Sequence, residues 1–369
     1  MNYFLDRTKP SLSELINWFR SNYPLLWEDM EQSNHALDVN NPNPFHIEGS
    51  VLTHTMMVCQ RADIENASTV NLLCALLHDI GKPYVRDTEK DPNKVYFRGH
   101  EGVSFFYAIE PLTRLREMGV ISYNEMVQCL TIISLHGILF NNISNDGEMI
   151  KPQNIINKFS DKDTYIKYVK QVRYDSLGRI CTSNKHAHLL GNEIYVDDLY
   201  DELKEYKQPI DKPLLEVLIG LPGAGKSTYV SKKTDIDVII SRDTELIEYA
   251  KTLGIEGSYT DIWKSLSKED HSKIDKIVDI KFRAAFKEKR DIIIDMTNMS
   301  KKSQKRWVNL TNKKYFCKAT IFVTPLDKLD KQLKSREPDK KISSEVIKSM
   351  MKSFTVPTYD LFHQIEWVL

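Results

Sequence analysis

Apolar residues recur at helical spacing along the first half of the chain. The pattern is clearest in three stretches, SELINWFRSNY, VNLLCALLHDIG and EMVQCLTIISLHGIL. Up to about residue 180 no stretch shows the convincing alternation of apolar and polar residues that a half-buried strand would produce. We therefore predict that the first half of the chain is all-helical.

The second half has a different pattern. Four apolar runs, LLEVLIG, DVIIS, DIIIDMT and KATIFVT, alternate with helical stretches, which is typical of a parallel sheet covered by helices on both faces. Between the halves, the acidic segment VDDLYDELKEYKQ leads into PIDKP, whose prolines discourage a continuing helix. We predict a multidomain protein, with an all-α domain at residues 1–207 and an α/β domain at residues 208–369.

Composition narrows the class of protein. The chain has 369 residues, of which 41% are hydrophobic and 28% are charged, as in an ordinary globular protein with room for two cores. It contains no run of about 18 uncharged apolar residues, and its first residues lack a basic-then-apolar signal layout. The five cysteines are scattered and form no CxxC pair. We expect a cytoplasmic protein with reduced thiols and no membrane partner.

The net charge of zero hides an asymmetry between the halves. Residues 1–205 carry 20 Lys and Arg against 28 Asp and Glu, whereas residues 206–369 carry 31 against 23. A basic second half is compatible with a polyanionic partner, although a solvated lysine-rich surface would give the same count.

The stretch GLPGAGKST has the form of a phosphate-binding loop. It fits the pattern GxxxxGK[ST], follows the strand-like LLEVLI and opens the helix-like KSTYVSKK. Backbone N–H groups of such a loop surround phosphate oxygens, while Lys226 would reach the β- and γ-phosphates and Ser227 would ligate Mg²⁺. We predict that ATP and Mg²⁺ bind here, through Gly220, Gly223, Gly225, Lys226, Ser227 and Thr228.

Acidic residues follow the next two predicted strands, where ligand sites of α/β sheets form. Asp243, next to Arg242, could take a proton from an attacking hydroxyl, or it could cap the following helix. Asp295, with Thr297 and Asn298 just beyond, could hold a Mg²⁺-bound water, position the acceptor or cap a helix. Further on, Arg336 could close over the γ-phosphate.

The order GxxxxGKS, SRD, DMTN and LKSREPDKKISSEVIKSMMKSF resembles the 5′-hydroxyl polynucleotide kinases of the phage type. The resemblance covers most of residues 213–355. It implies that Lys226 and Ser227 contact the ATP phosphates, that Asp243 is the general base and that Arg336 is the lid arginine. Two positions depart from the family, because Leu246 replaces a common arginine and an earlier lid arginine is matched only by Lys331 or Gln332.

In the first half, LLHDIGKPYV places His78 directly before Asp79. The pair could bind a metal ion, or it could be a buried histidine beside a local acceptor. Two ligands are too few for a metal site, and His54, His100, His136 and Asp175 are candidates for the others. Imidazole and carboxylate ligands suit Mn²⁺, Fe²⁺, Co²⁺, Ni²⁺ or Zn²⁺.

This series of histidines and aspartates resembles the HD phosphohydrolase superfamily. HDIGK, FRGHEG and DSLGR are similar especially to the HD domain attached to some bacterial tRNA nucleotidyltransferases, over roughly residues 45–185. The resemblance implies that one metal ion is bound by four residues and a second ion by His100 and His136, while Lys82 meets the substrate phosphate. The four residues are His54, His78, Asp79 and Asp175. Metal-activated water would then hydrolyse a phosphoester.

The whole chain is similar to bacterial HD–polynucleotide kinase proteins. This resemblance implies an RNA end-healing enzyme that phosphorylates 5′-hydroxyl ends and removes 2′,3′-cyclic, 2′ or 3′ phosphates. Its expected partners are broken RNA or DNA ends and an RNA ligase. Two alternatives stay open: a nucleotide-level phosphohydrolase fused to a nucleoside or small-molecule kinase, or an HD domain that senses a nucleotide and regulates the kinase. The oligomeric state does not follow from the sequence.

Overall fold

The computed structural model describes most of the chain, namely residues 3–37, 43–44, 46–89, 91, 94–139, 151–181, 196–205, 212–335 and 342–369. Arg336 lies outside the described residues, so its role as a lid arginine stays a prediction. The chain divides into two compact units. The first comprises Met1–Glu205 and Met351–Val356, and the second comprises Tyr206–Met350 and Pro357–Leu369.

The first unit is helical where it is described, which confirms the prediction from apolar spacing. A 3₁₀ helix, Lys82–Val85, lies between the fourth and fifth α-helices. The α-helices are α1 (Leu12–Asn22), α2 (Pro24–Gln32), α3 (Val51–Ile64), α4 (Thr69–Leu77), α5 (His100–Glu117), α6 (Tyr123–Leu135), α7 (Pro152–Ile156), α8 (Lys162–Leu177) and α9 (Val196–Leu203).

Helix α4 forms the centre of this unit. Ser68 caps its amino terminus by accepting a hydrogen bond from the Asn71 backbone, and every residue from Val70 to Leu77 is buried. Helices α3, α6 and α8 pack around it. A helix that is buried on all sides lies in a core. The polar residues directly after Leu77 therefore lie deep inside the unit.

Residues 351–356 also belong to the first unit, although their sequence falls within the kinase resemblance. The Phe354 ring lies 4.5 Å from the Phe105 ring and 5.0 Å from the Phe106 ring, centroid to centroid. The Val356 amide donates a hydrogen bond to Ser134 Oγ at 3.3 Å. Gly102 faces this segment, and a side chain there would collide with the carbonyl oxygen of Met351. The segment therefore completes the core against α5 and α6.

Gly99 offers a test of this close approach. Gly99 has a φ of +78° and faces the Lys352 carbonyl oxygen. Gly119 has a φ of +73°, and none of the described residues places an atom within 4 Å of the position that a Cβ would take there. Alanine at either position carries the cost of left-handed backbone, roughly 1–2 kcal/mol. We expect Gly99→Ala to destabilise the full-length protein by about 1–3 kcal/mol more than Gly119→Ala, because it also overpacks the contact. Denaturant unfolding measures both, and equal losses would contradict the contact.

The second unit contains a five-stranded parallel sheet in the order β2-β3-β1-β4-β5. Its strands are β1 (Leu214–Ile219), β2 (Val238–Ile240), β3 (Ile292–Ile294), β4 (Phe316–Phe322) and β5 (Gln364–Val368). The helices after residue 212 are α10 (Lys226–Val230), α11 (Arg242–Thr252), α12 (Tyr259–Ser265), α13 (Lys268–Lys287), α14 (Lys301–Leu310), α15 (Leu326–Lys334) and α16 (Ser344–Ser353). The predicted α/β fold with a parallel sheet is confirmed.

The first four strands match the four apolar runs of the sequence, but β5 was not predicted. It pairs in parallel with β4, so that Ile365 lies opposite Ala319. Because β5 is a half-buried edge strand, its sequence QIEWV lacks the continuous apolar character of β1 and β3. Among the described residues, no helix is both long enough and apolar enough to cross a membrane.

Candidate functional site

The first unit gathers all six of the residues predicted to bind transition-metal ions. Helix ends supply most of them, since α4 and α6 both terminate at the edge of the core and α5 begins there. The six residues, called here the histidine cluster, are His54 in α3, His78 at the end of α4, Asp79 directly after it, His100 at the start of α5, His136 at the end of α6 and Asp175 in α8. All are buried except His100, which is partly exposed.

The carboxylate of Asp79 lies at the centre of the histidine cluster. Its Oδ2 lies 3.2 Å from His78 Nε2 and 3.6 Å from His54 Nε2. Its Oδ1 lies 3.3 Å from His100 Nε2 and 3.7 Å from His136 Nε2. Five of the six residues thus form two groups of three ligands that share Asp79, each with its donor atoms within 4.8 Å of one another. The sixth residue, Asp175, places its Oδ1 3.1 Å from His54 Nε2.

Three of the imidazoles are oriented through their other ring nitrogen. The Nδ1 atoms of His78, His100 and His136 lie 2.9, 2.8 and 2.7 Å from backbone carbonyl oxygens, which are those of Ala75, Phe97 and Ile133 respectively. A neutral imidazole that donates from Nδ1 keeps a lone pair on Nε2. This arrangement is the one that metal-ligating histidines adopt in proteins.

The Nε2 atoms also approach each other. His100 Nε2 lies 3.1 Å from His136 Nε2, and His54 Nε2 lies 3.4 Å from His78 Nε2. Two lone pairs at such distances repel unless a cation lies beside them. Neither oxygen of the buried Asp79 carboxylate has a hydrogen-bond partner of good geometry among the described residues. The donor set therefore fits one or two divalent transition-metal ions.

Two residues that support the cluster were not predicted. Glu48 Oε1 lies 2.9 Å from His54 Nδ1, so a carboxylate orients this imidazole as carbonyl oxygens orient the others. Arg179 Nη2 lies 2.5 Å from Asp175 Oδ1. The spacing of Asp175 and Arg179, four residues apart at the end of α8, was a usable signal. Glu48 precedes α3, and no sequence pattern linked it to His54.

Nearby positive charges lower the pKa of Asp79 and Asp175 by more than burial raises it. Burial alone would raise the pKa of Asp79, but the neighbouring charges of His78 and Lys82 hold that pKa well below its ordinary value. Burial would likewise raise the pKa of Asp175, and Arg179 together with His54 lowers it. Burial, with nearby His100, lowers the pKa of His136 to about 4. Ionised carboxylates and the neutral imidazole of His136 are protonation states that bind a metal ion. Against the effect of burial, the Asp79 carboxylate raises the pKa of His78, so metal binding at His78 would displace a proton from its ring.

Lys82 lies at the edge of the cluster, on the 3₁₀ helix that follows Asp79. Its Nζ lies 2.7 Å from Asp79 Oδ2 and 3.1 Å from His35 Nε2. His35 stacks on His46, whose Nδ1 pairs with Glu48 at 2.8 Å. His35, His46 and Glu48 form a third group of potential ligands, but these contacts show them supporting Lys82 and His54.

In the second unit, the phosphate-binding loop connects β1 to α10 at the carboxyl end of the central strand. Gly223 and Gly225 have φ values of +87° and +97°, which favour glycine. Lys226 Nζ donates to the carbonyl oxygens of Gly220 and Leu221, at 2.8 Å each. Thr228 and the neighbouring Ser227 are exposed. The loop thus presents a cation and two hydroxyls beside its backbone N–H groups.

The structure excludes the capping alternative for both acidic residues. Ser241 caps α11, and Asp243 lies exposed in the first turn, where its Oδ1 accepts a hydrogen bond of 2.7 Å from the Tyr259 hydroxyl. Ser300 caps α14, and Asp295 directly follows β3. Both carboxylates therefore lie at the same edge of the sheet as the phosphate-binding loop.

Asp295 interacts electrostatically with Lys226 and Asp243. Burial raises the pKa of Asp295, the Lys226 ammonium opposes this rise, and the carboxylate of Asp243 adds to it. Asn298 has a structural role instead, because its side chain donates to the Leu218 carbonyl at 2.9 Å and accepts from Trp307 Nε1 at 3.0 Å. Asp295 thus lies within electrostatic range of Asp243 and Lys226, whereas Asn298 secures the loop after β3.

The two positions that depart from the kinase pattern have different surroundings. Leu246 is fully buried in a cluster with Ala250, Ile262, Leu266 and Ile274. An arginine there would place its charge among apolar side chains, so the substitution matches the packing of α11 to α13. Gln332 lies in α15, whose Leu329 and Leu333 face Gly223 of the phosphate-binding loop.

Comparison with known proteins finds one family match, in the second half of the chain. Residues 215–357 match the AAA domain family. No curated protein matches the chain significantly. One similar solved structure is that of the Pnkp1/Rnl/Hen1 RNA repair complex, with a TM-score of 0.31 and 23% identity over 40% of this chain and 44% of that one. Another, of the Pnkp1/Rnl/Hen1 complex, has a TM-score of 0.28 and 23% identity over 37% and 43%. This chain therefore spans less than half the length of either structure.

Proposed function

We propose that the protein is a bifunctional RNA end-healing enzyme. Its second unit transfers the γ-phosphate of ATP to a 5′-hydroxyl end, and its first unit removes 2′,3′-cyclic, 2′ or 3′ phosphate from the opposite end. The observation that carries this proposal is the presence, in one chain, of a phosphate-binding loop with an exposed carboxylate nearby and a buried cluster of metal-type ligands.

The kinase reaction would take place at the carboxyl edge of the sheet. Lys226 and the loop amides would hold the ATP phosphates, and Ser227 with Asp295 would hold Mg²⁺, which neutralises charge that develops during transfer. Asp243 is exposed and would accept the proton of the attacking 5′-hydroxyl. The Tyr259 hydroxyl, bonded to Asp243 Oδ1, fixes the orientation of that carboxylate.

The phosphatase reaction follows from the histidine cluster. A bound transition-metal ion would supply an activated water and polarise a phosphoryl oxygen. His54, His78, Asp79 and Asp175 would hold one ion, and His100 and His136 a second. Lys82, held beside Asp79, would neutralise a phosphate oxygen of the substrate. Water adds to the phosphorus of the cyclic ester as one P–O bond to the ribose breaks, and a second hydrolysis releases phosphate.

Joining the two activities in one chain favours a polynucleotide over a free nucleotide. RNA breakage that leaves a 5′-hydroxyl together with a 2′,3′-cyclic phosphate leaves two ends that cannot be ligated directly. A cyclic phosphate requires a 2′-hydroxyl and therefore marks RNA. The lysine and arginine excess of residues 206–369 suits a phosphate backbone. An RNA ligase would use the healed ends, and DNA could serve the kinase unit alone.

The test is an oligoribonucleotide that carries both broken ends, incubated with full-length protein, ATP and a series of divalent metals. Each terminus is read separately by mass spectrometry. We expect phosphate gain at the 5′ end and loss at the 3′ end. The proposal is wrong if both RNA ends stay unchanged while free nucleotides are hydrolysed and free nucleosides are phosphorylated. That result would establish the nucleotide-level alternative.

A further inference from the structure

The second unit exposes a tryptophan in an unusual setting. Trp263 of α12 is 43% exposed, although large aromatic side chains of this unit such as Trp307 and Phe282 are almost fully buried. A single exposed aromatic residue is common on protein surfaces. The contacts of Trp263, and its place on the same helix as Tyr259, which bonds the predicted general base, distinguish it from such a case.

The Trp263 ring is held in place by two side chains from neighbouring helices. The guanidinium carbon of Arg242 lies 5.3 Å from the ring centroid, and the His271 ring lies 4.2 Å away, centroid to centroid. Arg242 Nη2 approaches His271 Nδ1 at 3.4 Å, so the two groups form one continuous support. Asp275 accepts a hydrogen bond of 2.8 Å from Arg242 Nε and fixes the guanidinium. The ring is therefore pre-oriented while much of its surface stays open.

Helix α12 links this ring to the predicted reaction centre. Tyr259, whose hydroxyl donates to Asp243 Oδ1, lies four residues before Trp263 and so on the same side of the helix. Arg242, which lies against the ring, is the residue directly before Asp243. Tyr259, which contacts the predicted general base, and Arg242, which precedes it in the chain, thus both connect it to Trp263.

We propose that Trp263 is a stacking platform for the nucleobase at the 5′ end of the acceptor strand. This inference rests on the proposed kinase function, in which Asp243 meets the 5′-hydroxyl. The base of the terminal nucleotide is joined to that hydroxyl through one ribose, so it must lie beside Asp243. Aromatic side chains stack on any base, because every base has a π-face. The platform therefore favours a nucleotide at the 5′ end without selecting its sequence.

The adenine of ATP is the competing occupant. The phosphates of ATP lie on the loop after β1, around Lys226, whereas Trp263 is connected to Asp243, on the acceptor side of the transferred phosphate. The guanidinium of Arg242 also places positive charge beside the ring, where the phosphate following the terminal nucleotide would pass. These features assign the ring to the acceptor strand.

The experiment compares Trp263→Ala and Trp263→Phe with the wild-type full-length protein. The acceptors are a 5′-hydroxyl oligonucleotide and a matched strand whose 5′ nucleotide is abasic. Loss of stacking should raise the KM of Trp263→Ala for the intact acceptor about 5- to 100-fold, with kcat and the KM for ATP unchanged. Trp263→Phe should restore most of the loss. Ile280→Ala, which removes another exposed apolar side chain, should behave as wild type.

The abasic strand separates the possible results. On the abasic strand, the acceptor KM of the wild-type protein should rise by the factor by which Trp263→Ala raises it on the intact strand. The acceptor KM of Trp263→Ala should be the same on both strands. A raised KM for ATP would assign the ring to adenine and overturn the proposal. An unchanged acceptor KM in Trp263→Ala would also overturn it. So would an abasic strand that raises the acceptor KM of both proteins by the same factor. Wild-type protein that phosphorylates no oligonucleotide would instead refute the proposed kinase function.

Discussion

Replacing Asp79 should remove the bound metal and abolish phosphate release from RNA 3′ ends, while 5′ phosphorylation continues. Both ligand groups of the histidine cluster share this carboxylate. Loss of an outer-shell partner typically costs about 10- to 100-fold in metal affinity or activity, and loss of the shared ligand should cost more. Elemental analysis of metal content and a 3′-phosphate assay on the same preparation measure both effects.

Two further variants make the Asp79 experiment decisive. Asp79→Ala leaves Lys82 without its charge partner in a buried position, so Asp79→Asn, which keeps the side-chain shape, is measured beside it. Glu48→Gln, which weakens only the support of His54, should give the smaller loss of about 10- to 100-fold. Full metal occupancy in Asp79→Asn would show that the histidine cluster does not bind metal through this residue.

Substitution of Lys226 or Asp243 should reduce 5′ phosphorylation and leave phosphate release from 3′ ends intact, which is the opposite of the effect expected at Asp79. Lys226→Ala removes the ammonium of the phosphate-binding loop and should abolish 5′ phosphorylation. Asp243→Asn keeps the contact with Tyr259 possible but removes the proton acceptor, so kcat should fall about 10²- to 10⁴-fold with the KM for ATP unchanged. Initial rates on a 5′-hydroxyl oligonucleotide provide the measurement.

The matched control for Asp243→Asn is Glu248→Gln, which removes an exposed carboxylate from the same helix. It should leave the kinase rate unchanged, and all three variants should retain phosphate release from the 3′ end. If Asp243→Asn turns over at nearly the wild-type rate, another group is the general base.

The parts of the structure that the sequence predicted are those with local signals. The phosphate-binding loop combines a fixed glycine spacing with a buried strand, and α4 is apolar at most of its positions. Asp79 was noticed because it follows His78 at the end of that apolar run, and the series of histidines and aspartates with its resemblance to HD phosphohydrolases made it a predicted ligand. For the loop and for α4, neighbouring residues in the chain carry the information, and the structure agrees with the expected strand and helix.

The missed features depend on contacts between residues that are distant in sequence. Glu48 reaches His54 only because the chain turns before α3, and Trp263 meets Arg242 through the packing of α12 against α11. Strand β5 is half-buried, so its apolar residues do not form a continuous run. Leu246 was recognised as a departure from the family, but only the packing of α11 to α13 explains why an apolar residue suits this position.

The location of residues 351–356 in the first unit has a consequence for biosynthesis. During translation, Phe105 and Phe106 leave the ribosome long before Phe354, the residue that packs against both of them. The helical unit is therefore incomplete until residue 356 has been made, and apolar surface that stays uncovered in a nascent chain favours misassembly and aggregation. A gene fragment that ends at residue 205 would encode this unfinished state permanently. A helical unit expressed alone should therefore be supplied with residues 351–356, joined by a linker or as a separate peptide.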